Sequence, residues 1–185
     1  MGGEALPVIQ SVAPADLPAL FVYLDDHLQD NGRGGTPLFQ PMARADSRFP
    51  TDKRAAFAIG LNAEVGAPGW RRAWMALDAD GAICGHADLR ARPERAASHR
   101  CLLGMGVHRN YRKLGVGASL MAHAVQWASV SARLDWIDLE VLSVNAPAQA
   151  LYRRSGFVQT GEIADLLRID GERLSYTSMS LKLGI

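Results

Sequence analysis

Apolar residues follow a helical spacing in some segments of the chain and a strand spacing in others. Near the start they recur every three or four positions, which is typical of an amphipathic helix; they are Leu17, Leu20, Phe21, Leu24 and Leu28. Further on, Ile137, Leu139 and Val141 alternate with charged residues, which indicates a strand with one polar face. Turn residues separate such segments, as Asp80-Gly81 and Asp170-Gly171 do.

These patterns predict seven strands and four helices in a fixed order. The strands are predicted at 8–11, 70–77, 82–92, 99–107, 136–142, 157–166 and 173–183. The helices are predicted at 14–30, 52–64, 114–131 and 145–156. One α/β (α+β) domain over residues 1–185 fits this order, with a mixed sheet and helices on both of its faces. The crossover from 99 to 142 predicts a pair of parallel neighbours.

Composition restricts the partners of this domain. The net charge of +1 gives no general attraction to nucleic acid or to a membrane surface, so an anionic ligand needs a local positive site. The chain shows neither a signal peptide nor an apolar stretch of membrane-spanning length, which favours a cytoplasmic protein. Cys84 and Cys101 match no metal or redox motif, so we expect two buried, reduced thiols and no metal.

A basic turn with two glycines is the best local candidate for an anion site. It spans Arg112 to Gly117, between a predicted strand and a predicted helix. Free amides at a helix start attract anions, and glycine lets phosphate oxygens approach the backbone. The spacing fits neither a Walker P-loop nor the three-glycine dinucleotide fingerprint. A glycine-rich turn with scattered surface charge remains the alternative.

A second motif follows about 30 residues later, from Asn145 to Phe157. Asn145 and Tyr152 are seven residues apart, which places both on one face of the predicted helix. Taken alone, Tyr152 is equally compatible with simple packing on an amphipathic helix.

The two motifs in this order resemble the GNAT superfamily, the Gcn5-related N-acetyltransferases. The family's pyrophosphate pattern is matched by Arg112, Gly115 and Gly117, and its later pattern by Asn145, Ala148, Leu151, Tyr152, Gly156 and Phe157. The resemblance extends more weakly over residues 6 to 183. It implies a mostly antiparallel sheet of about seven strands with one splayed parallel pair. Lys113 and His108 depart from the pattern, since many relatives have Gly and Pro there.

The resemblance also implies how acetyl-CoA would bind. The arm of the cofactor would pair with the strand end at Met105, Gly106 and Val107, and Asn145 would contact it. The pyrophosphate would lie on the turn, whose residues are Arg112, Lys113, Leu114, Gly115, Val116 and Gly117.

The implied chemistry is direct attack of an amine on the thioester. Tyr152 would then protonate the departing thiolate. The base is less defined: His99 and Glu140 are candidates on neighbouring strands, and a water relay without a dedicated base is also known in the family. Strand alternation places His99 on the face of Cys101 and Met105. Covalent catalysis by Cys101 is disfavoured because no ordered His and Asp accompany it.

The acceptor is a small-molecule or peptide amine that the sequence does not identify. The irregular segment 31–51 would flank its cleft, and a segment of this length indicates a functional or mobile loop. The cations in and beside it (Arg33, Arg44, Arg48 and Lys53), with Phe39 and Phe49, would suit a carboxylate-bearing or partly apolar amine, or would simply be solvated. A non-catalytic acyl-CoA-binding or regulatory module is the alternative function, and another nucleotide-binding protein is a third. Family habit also allows a homodimer.

Overall fold

Seven strands and four α-helices follow one another as the sequence predicts. In the computed structural model, which describes residues 7–184, the strands are β1 (Val8–Ser11), β2 (Arg71–Leu77), β3 (Ile83–Ala91), β4 (Arg100–Val107), β5 (Trp136–Leu142), β6 (Val158–Ile169) and β7 (Glu172–Lys182). The helices are α1 (Leu17–Leu28), α2 (Thr51–Asn62), α3 (Val116–Gln126) and α4 (Ala146–Arg154).

All seven strands belong to one sheet, in the order β1-β2-β3-β4-β5-β7-β6. Every neighbouring pair is antiparallel except β4 and β5, which run parallel. The helix α3 makes the crossover between these two strands. The predicted fold class is therefore confirmed, including the parallel pair at the crossover.

Helices cover the sheet on both faces, and β2 shows why the sequence folds this way. Its continuous apolar run is typical of a strand that is buried on both sides. Trp74 and Ala76 pack in the core beneath α3, whereas Ala73 and Met75 pack in the core beneath α1 and α2. The side chains of each strand therefore face either the α3 side or the α1/α2 side, and this distinction positions the site.

Most predicted boundaries differ from the structure by one to a few residues, and two of the differences have clear local reasons. The third helix begins at Val116 rather than at 114, because Gly115 adopts a left-handed φ of 85° that a helix cannot include. The sixth strand continues to Ile169 rather than to 166, past a bulge where Asp165 has a φ of 52°. As an edge strand, β6 is mostly exposed on both faces, so burial imposes no regular alternation that would mark its end.

Candidate active site

The strands β4 and β5 pair along one end only and then separate. Their register runs from Arg100 opposite Trp136 to Leu102 opposite Asp138. Beyond Leu102, β4 continues to Val107 with no partner on that side among residues 7–184. The centre of the sheet therefore contains a wedge-shaped gap, lined on one side by the backbone of β4.

The backbone groups that face this gap belong to alternate residues of β4. The N–H of His108 donates to the carbonyl of Cys84 on β3 at 2.8 Å. Because antiparallel pairing alternates, Met105 and Val107 direct their N–H and C=O groups away from β3 and into the gap. Such an edge can pair with an extended polyamide as it would with another strand. A pantetheine arm, which contains two amides, fits this description.

The turn after β4 leads directly into the gap's open end. Lys113 and Gly115 both have left-handed backbones, with φ of 65° and 85°. The first amide of the helix with an acceptor in the preceding turn is that of Ser119, which donates to the carbonyl of Gly115 at 3.0 Å. The amides of Val116 and Gly117 precede it and have no intrahelical acceptor. Free amides at a helix N-terminus are groups that attract anions in general.

Gly117 lies where the turn, the end of β4 and the helix α4 meet. A Cβ built on this residue would lie 3.2 Å from Cδ2 of Leu151 and 3.4 Å from Cγ2 of Val107. The backbone of the turn therefore approaches both neighbours closely, which only glycine allows without displacing them. The two sequence motifs, far apart in the chain, are in contact here.

The sequence suggests that Arg112 in the basic turn, and Arg109 just before it, add positive charge for an anion, but both are paired with carboxylates. The guanidinium of Arg112 donates to Asp30 at 2.9 Å and to the carbonyl of Val107 at 3.2 Å. Arg109 pairs with both Asp26 and Asp30. These arginines form ion pairs with carboxylates and hold the turn after β4 against the C-terminal end of α1. Lys113, in contrast, is exposed and forms no ion pair with the described residues.

The helix α4 flanks the gap from the side of β5. The side chain of Asn145 caps this helix by accepting from the N–H of Ala148 at 3.3 Å, as its position predicts. Tyr152 packs against the core beneath α3, and its ring lies 6.0 Å from that of Phe157. Burial, together with the nearby Tyr176, raises the pKa of Tyr152 to about 12. Its hydroxyl therefore stays protonated near neutral pH.

On the α1/α2 side, three polar residues surround the point where β4 and β5 separate. Glu140 lies on β5 two residues beyond the last pairing with β4, and it is exposed. Burial raises the pKa of Tyr176 on β7, the charge of Glu140 raises it further, and the charge of Arg90 on β3 opposes this. Tyr176 in turn contributes to the raised pKa of Tyr152.

His99 lies apart from this group. It immediately precedes β4, its carbonyl accepts from the N–H of Asp135 at 2.9 Å, and its side chain is exposed. Met105 is six residues further on, a distance of roughly 20 Å along a strand. The structure thus brings Glu140 and Tyr152 toward the same gap and leaves His99 at the opposite end of β4.

Asn31 holds together the loop at 31–51, which the sequence predicts to be irregular. The side chain is fully buried and makes five hydrogen bonds within the segment 31–47. The two hydrogens of its amide are shared among the carbonyls of Gln40 and Met42 and the hydroxyl of Ser47, and its oxygen accepts from the N–H groups of Phe39 and Gln40. The loop is thus fixed by a polar centre rather than by regular secondary structure.

Ion pairs join this loop to the hairpin of β6 and β7. Arg44 pairs with Asp170 at 2.9 Å and with Glu172 at 2.7 Å. Phe49 stacks on Phe21 of α1 and belongs to the packing beneath α1 and α2. Arg44 and Phe49 are therefore engaged within the protein and are not free to bind an acceptor. Phe39, also in the loop, packs beside His27 of α1, with ring centroids 4.9 Å apart.

Replacing Asn31 by Ala should lower the free energy of unfolding by about 3 kcal/mol, because several buried polar groups lose their partners. Urea unfolding measures this. Asn62→Ala is the matched control, since its exposed side chain makes a single bond to the carbonyl of Ala58. Equal, small losses in both variants would contradict the role of Asn31.

A buried histidine cluster under β4 was not predicted. His27 of α1 and His86 of β3 lie 5.7 Å apart by ring centroids, and the Nδ1 atom of His27 has no hydrogen-bond partner among the described residues. Burial lowers the pKa of both, that of His86 to about 4. A Cβ on Gly106 would lie 2.4 Å from Nε2 of His27, so β4 needs glycine there. The sequence feature that indicates this cluster is His86, a polar residue within the internal strand β3.

The two cysteines are free and buried, as predicted. Burial raises the pKa of Cys84 to about 11 and that of Cys101 to about 12, so both stay as neutral thiols. Between residues 7 and 184, no cluster of three or more His, Cys, Asp or Glu side chains could hold a metal ion. None of the helices in this range is long and apolar enough to cross a membrane.

Comparison with known proteins agrees with this geometry. Residues 42–157 match the Acetyltransferase (GNAT) family. An L-amino acid N-acetyltransferase of Escherichia coli K12, AaaT, is 35% identical over 80 residues, which are 42% of this chain and 48% of that protein. The match thus spans about half the length of this curated relative.

Solved structures share the whole fold at low identity. A GNAT acetyltransferase from Streptococcus pneumoniae has a TM-score of 0.78 and 20% identity, covering 97% of this chain and all of that one. The acetyltransferase yncA from Salmonella typhimurium, whose structure includes its cofactor acetyl-CoA, has a TM-score of 0.76 and 16% identity over 96% of this chain and 94% of its own. At identities of 20% and 16%, this likeness shows a shared fold alone.

Proposed function

The chain belongs to the GNAT family of acetyltransferases, and from this premise we propose that it is an N-acetyltransferase that moves the acetyl group of acetyl-CoA onto a primary amine. One observation carries the proposal. The unpaired edge of β4 runs into the amide turn at the start of α3, and Tyr152 packs against the same core cluster as Met105 and Val107. A strand edge followed by an anion site suits a ligand made of a polyamide arm and a pyrophosphate.

Acetyl-CoA supplies a thioester, and the chain's own residues would hold it along this path. Met105, Gly106 and Val107 offer the strand edge, and Asn145 lies at the start of α4 on the other side of the gap. The amides from Arg112 to Gly117 would take the pyrophosphate, with Lys113 as an exposed cation beside them. Arg112 would act indirectly, by fixing the end of β4 through the carbonyl of Val107.

Proton transfer is assigned to two residues that flank the gap. Glu140 accepts the proton of the attacking amine, and Tyr152 donates its hydroxyl proton to the departing sulfur. The acetyl carbon exchanges its bond to sulfur for a bond to nitrogen. Glu140 then releases its proton to solvent and the Tyr152 phenolate takes one up, so atoms and charge balance over the cycle. The backbone N–H of Met105, which faces the gap, would stabilise the charge that develops on the carbonyl oxygen. His99 is the weaker base because it lies at the far end of β4.

The acceptor is proposed to be a small-molecule amine. This rests on the relative AaaT, which acts on L-amino acids by its name, and on the open α1/α2 side of the sheet at Glu140. Release of free CoA thiol from acetyl-CoA over a panel of amines tests the proposal. Turnover with at least one amine supports it, whereas tight CoA binding without turnover on any amine would indicate a non-catalytic binding module.

Replacing Glu140 by Gln should lower kcat/KM by about 100-fold near neutral pH, because the amine loses its base. The deficit should shrink as the pH rises toward the pKa of the acceptor, since more amine is then already neutral. Rate profiles against pH for both proteins measure this. His99→Gln is the control and should leave the rate unchanged; if it lowers the rate and Glu140→Gln does not, the two assignments are reversed.

A further inference from the structure

The side chains of Arg71, Asp88 and Arg90 together carry one net positive charge on the α1/α2 side of the sheet. Both Arg71 and Arg90 contact the same oxygen of Asp88, Arg90 at 3.2 Å. Arg71 is the more buried of the two, at 19% side-chain exposure, and its guanidinium lies 4.4 Å from the centre of the Phe57 ring. Arg90 is 36% exposed. Two guanidinium groups therefore share one carboxylate, and the accessible group is that of Arg90.

The guanidinium of Arg90 lies directly over β4 at Gly104. A Cβ built on Gly104 would lie 3.1 Å from Nη1 of Arg90 and 2.5 Å from Oδ1 of Asp88. Glycine at this position leaves the room in which the ion pair lies against the strand. Gly104 also lies between Leu102, where pairing with β5 ends, and Met105, whose backbone faces the gap.

Glu140 flanks the same point from the opposite side. Leu102 is opposite Asp138 on β5, so Gly104 and Glu140 are each two residues beyond the last pair and share the α1/α2 side. The effects of Glu140 and Arg90 on Tyr176 agree with this placement, since both charges reach one hydroxyl. A negative and a positive group thus border the end of the gap where the amine must attack.

We propose that Arg90 binds a carboxylate of the acceptor while Glu140 receives its amine, so that the substrates are α-amino acids. The inference rests on the function proposed above. In an α-amino acid, one carbon separates the ammonium group from the carboxylate, which suits two opposite charges that flank a single residue of β4. Guanidinium groups bind carboxylates through paired, charge-assisted hydrogen bonds. Asp88, which also binds Arg71, holds Arg90 in place for this contact.

Acceptor sets that differ only in the carboxylate test this specificity. Each set contains an L-amino acid, its carboxamide and its decarboxylated amine, for example L-phenylalanine, L-phenylalaninamide and 2-phenylethylamine. For the wild-type protein, kcat/KM should be about 10- to 100-fold higher with the amino acid than with the carboxamide, in keeping with hydrogen bonds to charged groups. No turnover on any member, or on any other amine, would instead contradict the proposed function itself.

Substitution of Arg90 should remove this preference selectively. Arg90→Ala should lower kcat/KM by about 10- to 100-fold with the amino acid and by less than about 3-fold with the carboxamide. Arg90→Lys should recover part of the preference, and Arg95→Ala, on the exposed surface, should change neither value. Unchanged CoA affinity by calorimetry shows that the variant is folded. Equal losses on both acceptors, or no loss, would overturn the assignment.

A second substitution tests the placement without touching the arginine. Gly104→Ala would put a methyl group into the space of Asp88 and Arg90, so the preference for the amino acid should again fall. Gly161→Ala is the matched control, since a Cβ there would meet nothing within 4 Å. A Gly104→Ala protein that binds CoA and keeps its full preference would contradict the position given to Arg90.

Discussion

Tyr152→Phe should lower kcat by roughly 100- to 1000-fold and leave the affinity for CoA almost unchanged. The substitution removes only the hydroxyl that would protonate the departing thiolate. The ring keeps its packing against Phe157 and the core beneath α3, so the fold and the gap are preserved. Steady-state rates with saturating amine, together with calorimetric titration of CoA, measure the two effects separately.

The pH dependence of the wild-type protein adds an independent check on Tyr152. With its pKa raised to about 12, the hydroxyl remains protonated through the range in which amines become neutral. The rate should therefore not fall at alkaline pH through loss of this proton. Tyr111→Phe is the control, because its hydroxyl donates to Asp78, outside the gap, and its rate should stay at the wild-type value. A normal rate for Tyr152→Phe would remove Tyr152 as the acid.

Gly117→Glu should weaken CoA binding by at least about 100-fold. The new carboxylate would lie in the first turn of α3, where the amides would hold the pyrophosphate. Like charges about 4 Å apart repel by about 4 kcal/mol at the effective dielectric of a protein surface. The added bulk also meets Leu151 and Val107, which lie within 3.4 Å of a Cβ at this position. Calorimetric titration with CoA measures the loss.

Two comparisons separate charge from bulk at this site. Gly117→Ala adds a methyl group without charge and should weaken binding much less than Gly117→Glu. Gly161→Glu places the same charge on the exposed strand β6 and should leave CoA affinity unchanged. Undiminished affinity in a folded Gly117→Glu protein would show that the pyrophosphate does not lie on this turn.

The sequence predicts best the elements whose two faces differ in polarity. The strand β5 was predicted with its observed bounds, because Ile137, Leu139 and Val141 alternate with charged residues. The cap at Asn145 was also predicted, since few residue types cap a helix N-terminus, whereas the left-handed Gly115 fell inside the predicted third helix. The crossover from 99 to 142 predicted the parallel pair, and the family resemblance implied a mostly antiparallel sheet of about seven strands.

Contacts between distant segments could not be read from the sequence. The pairing of Arg112 with Asp30 joins residues 82 positions apart, and it converts an expected anion-binding side chain into a support for the loop. Asn31 appeared only as part of a helix end, although its burial fixes the segment that follows. The loop cation Arg44, a candidate for the acceptor cleft, is matched by Asp170 and Glu172 instead.

Arg90 illustrates the same limit at the site itself. On β3, His86, Asp88 and Arg90 alternate with small or apolar residues, a pattern that is typical of a strand with one polar face. In the structure, β3 is an internal strand, and its polar side chains lie on the α1/α2 side over Gly104 and Gly106 of β4. A polar face on an internal strand is therefore the sequence feature that indicates a functional site on this side of the sheet.

Transfer of a labelled acetyl group tests the central assignment most directly. Acetyl-CoA carrying a heavy-isotope acetyl group is incubated with the protein and a reactive amine, and both free thiol and labelled product are quantified by mass spectrometry. We expect one labelled N-acetyl product for every thiol released, with formation abolished in Gly117→Glu and strongly reduced in Tyr152→Phe. Binding of CoA without transfer, or thiol release without label on the amine nitrogen, would contradict an N-acetyltransferase.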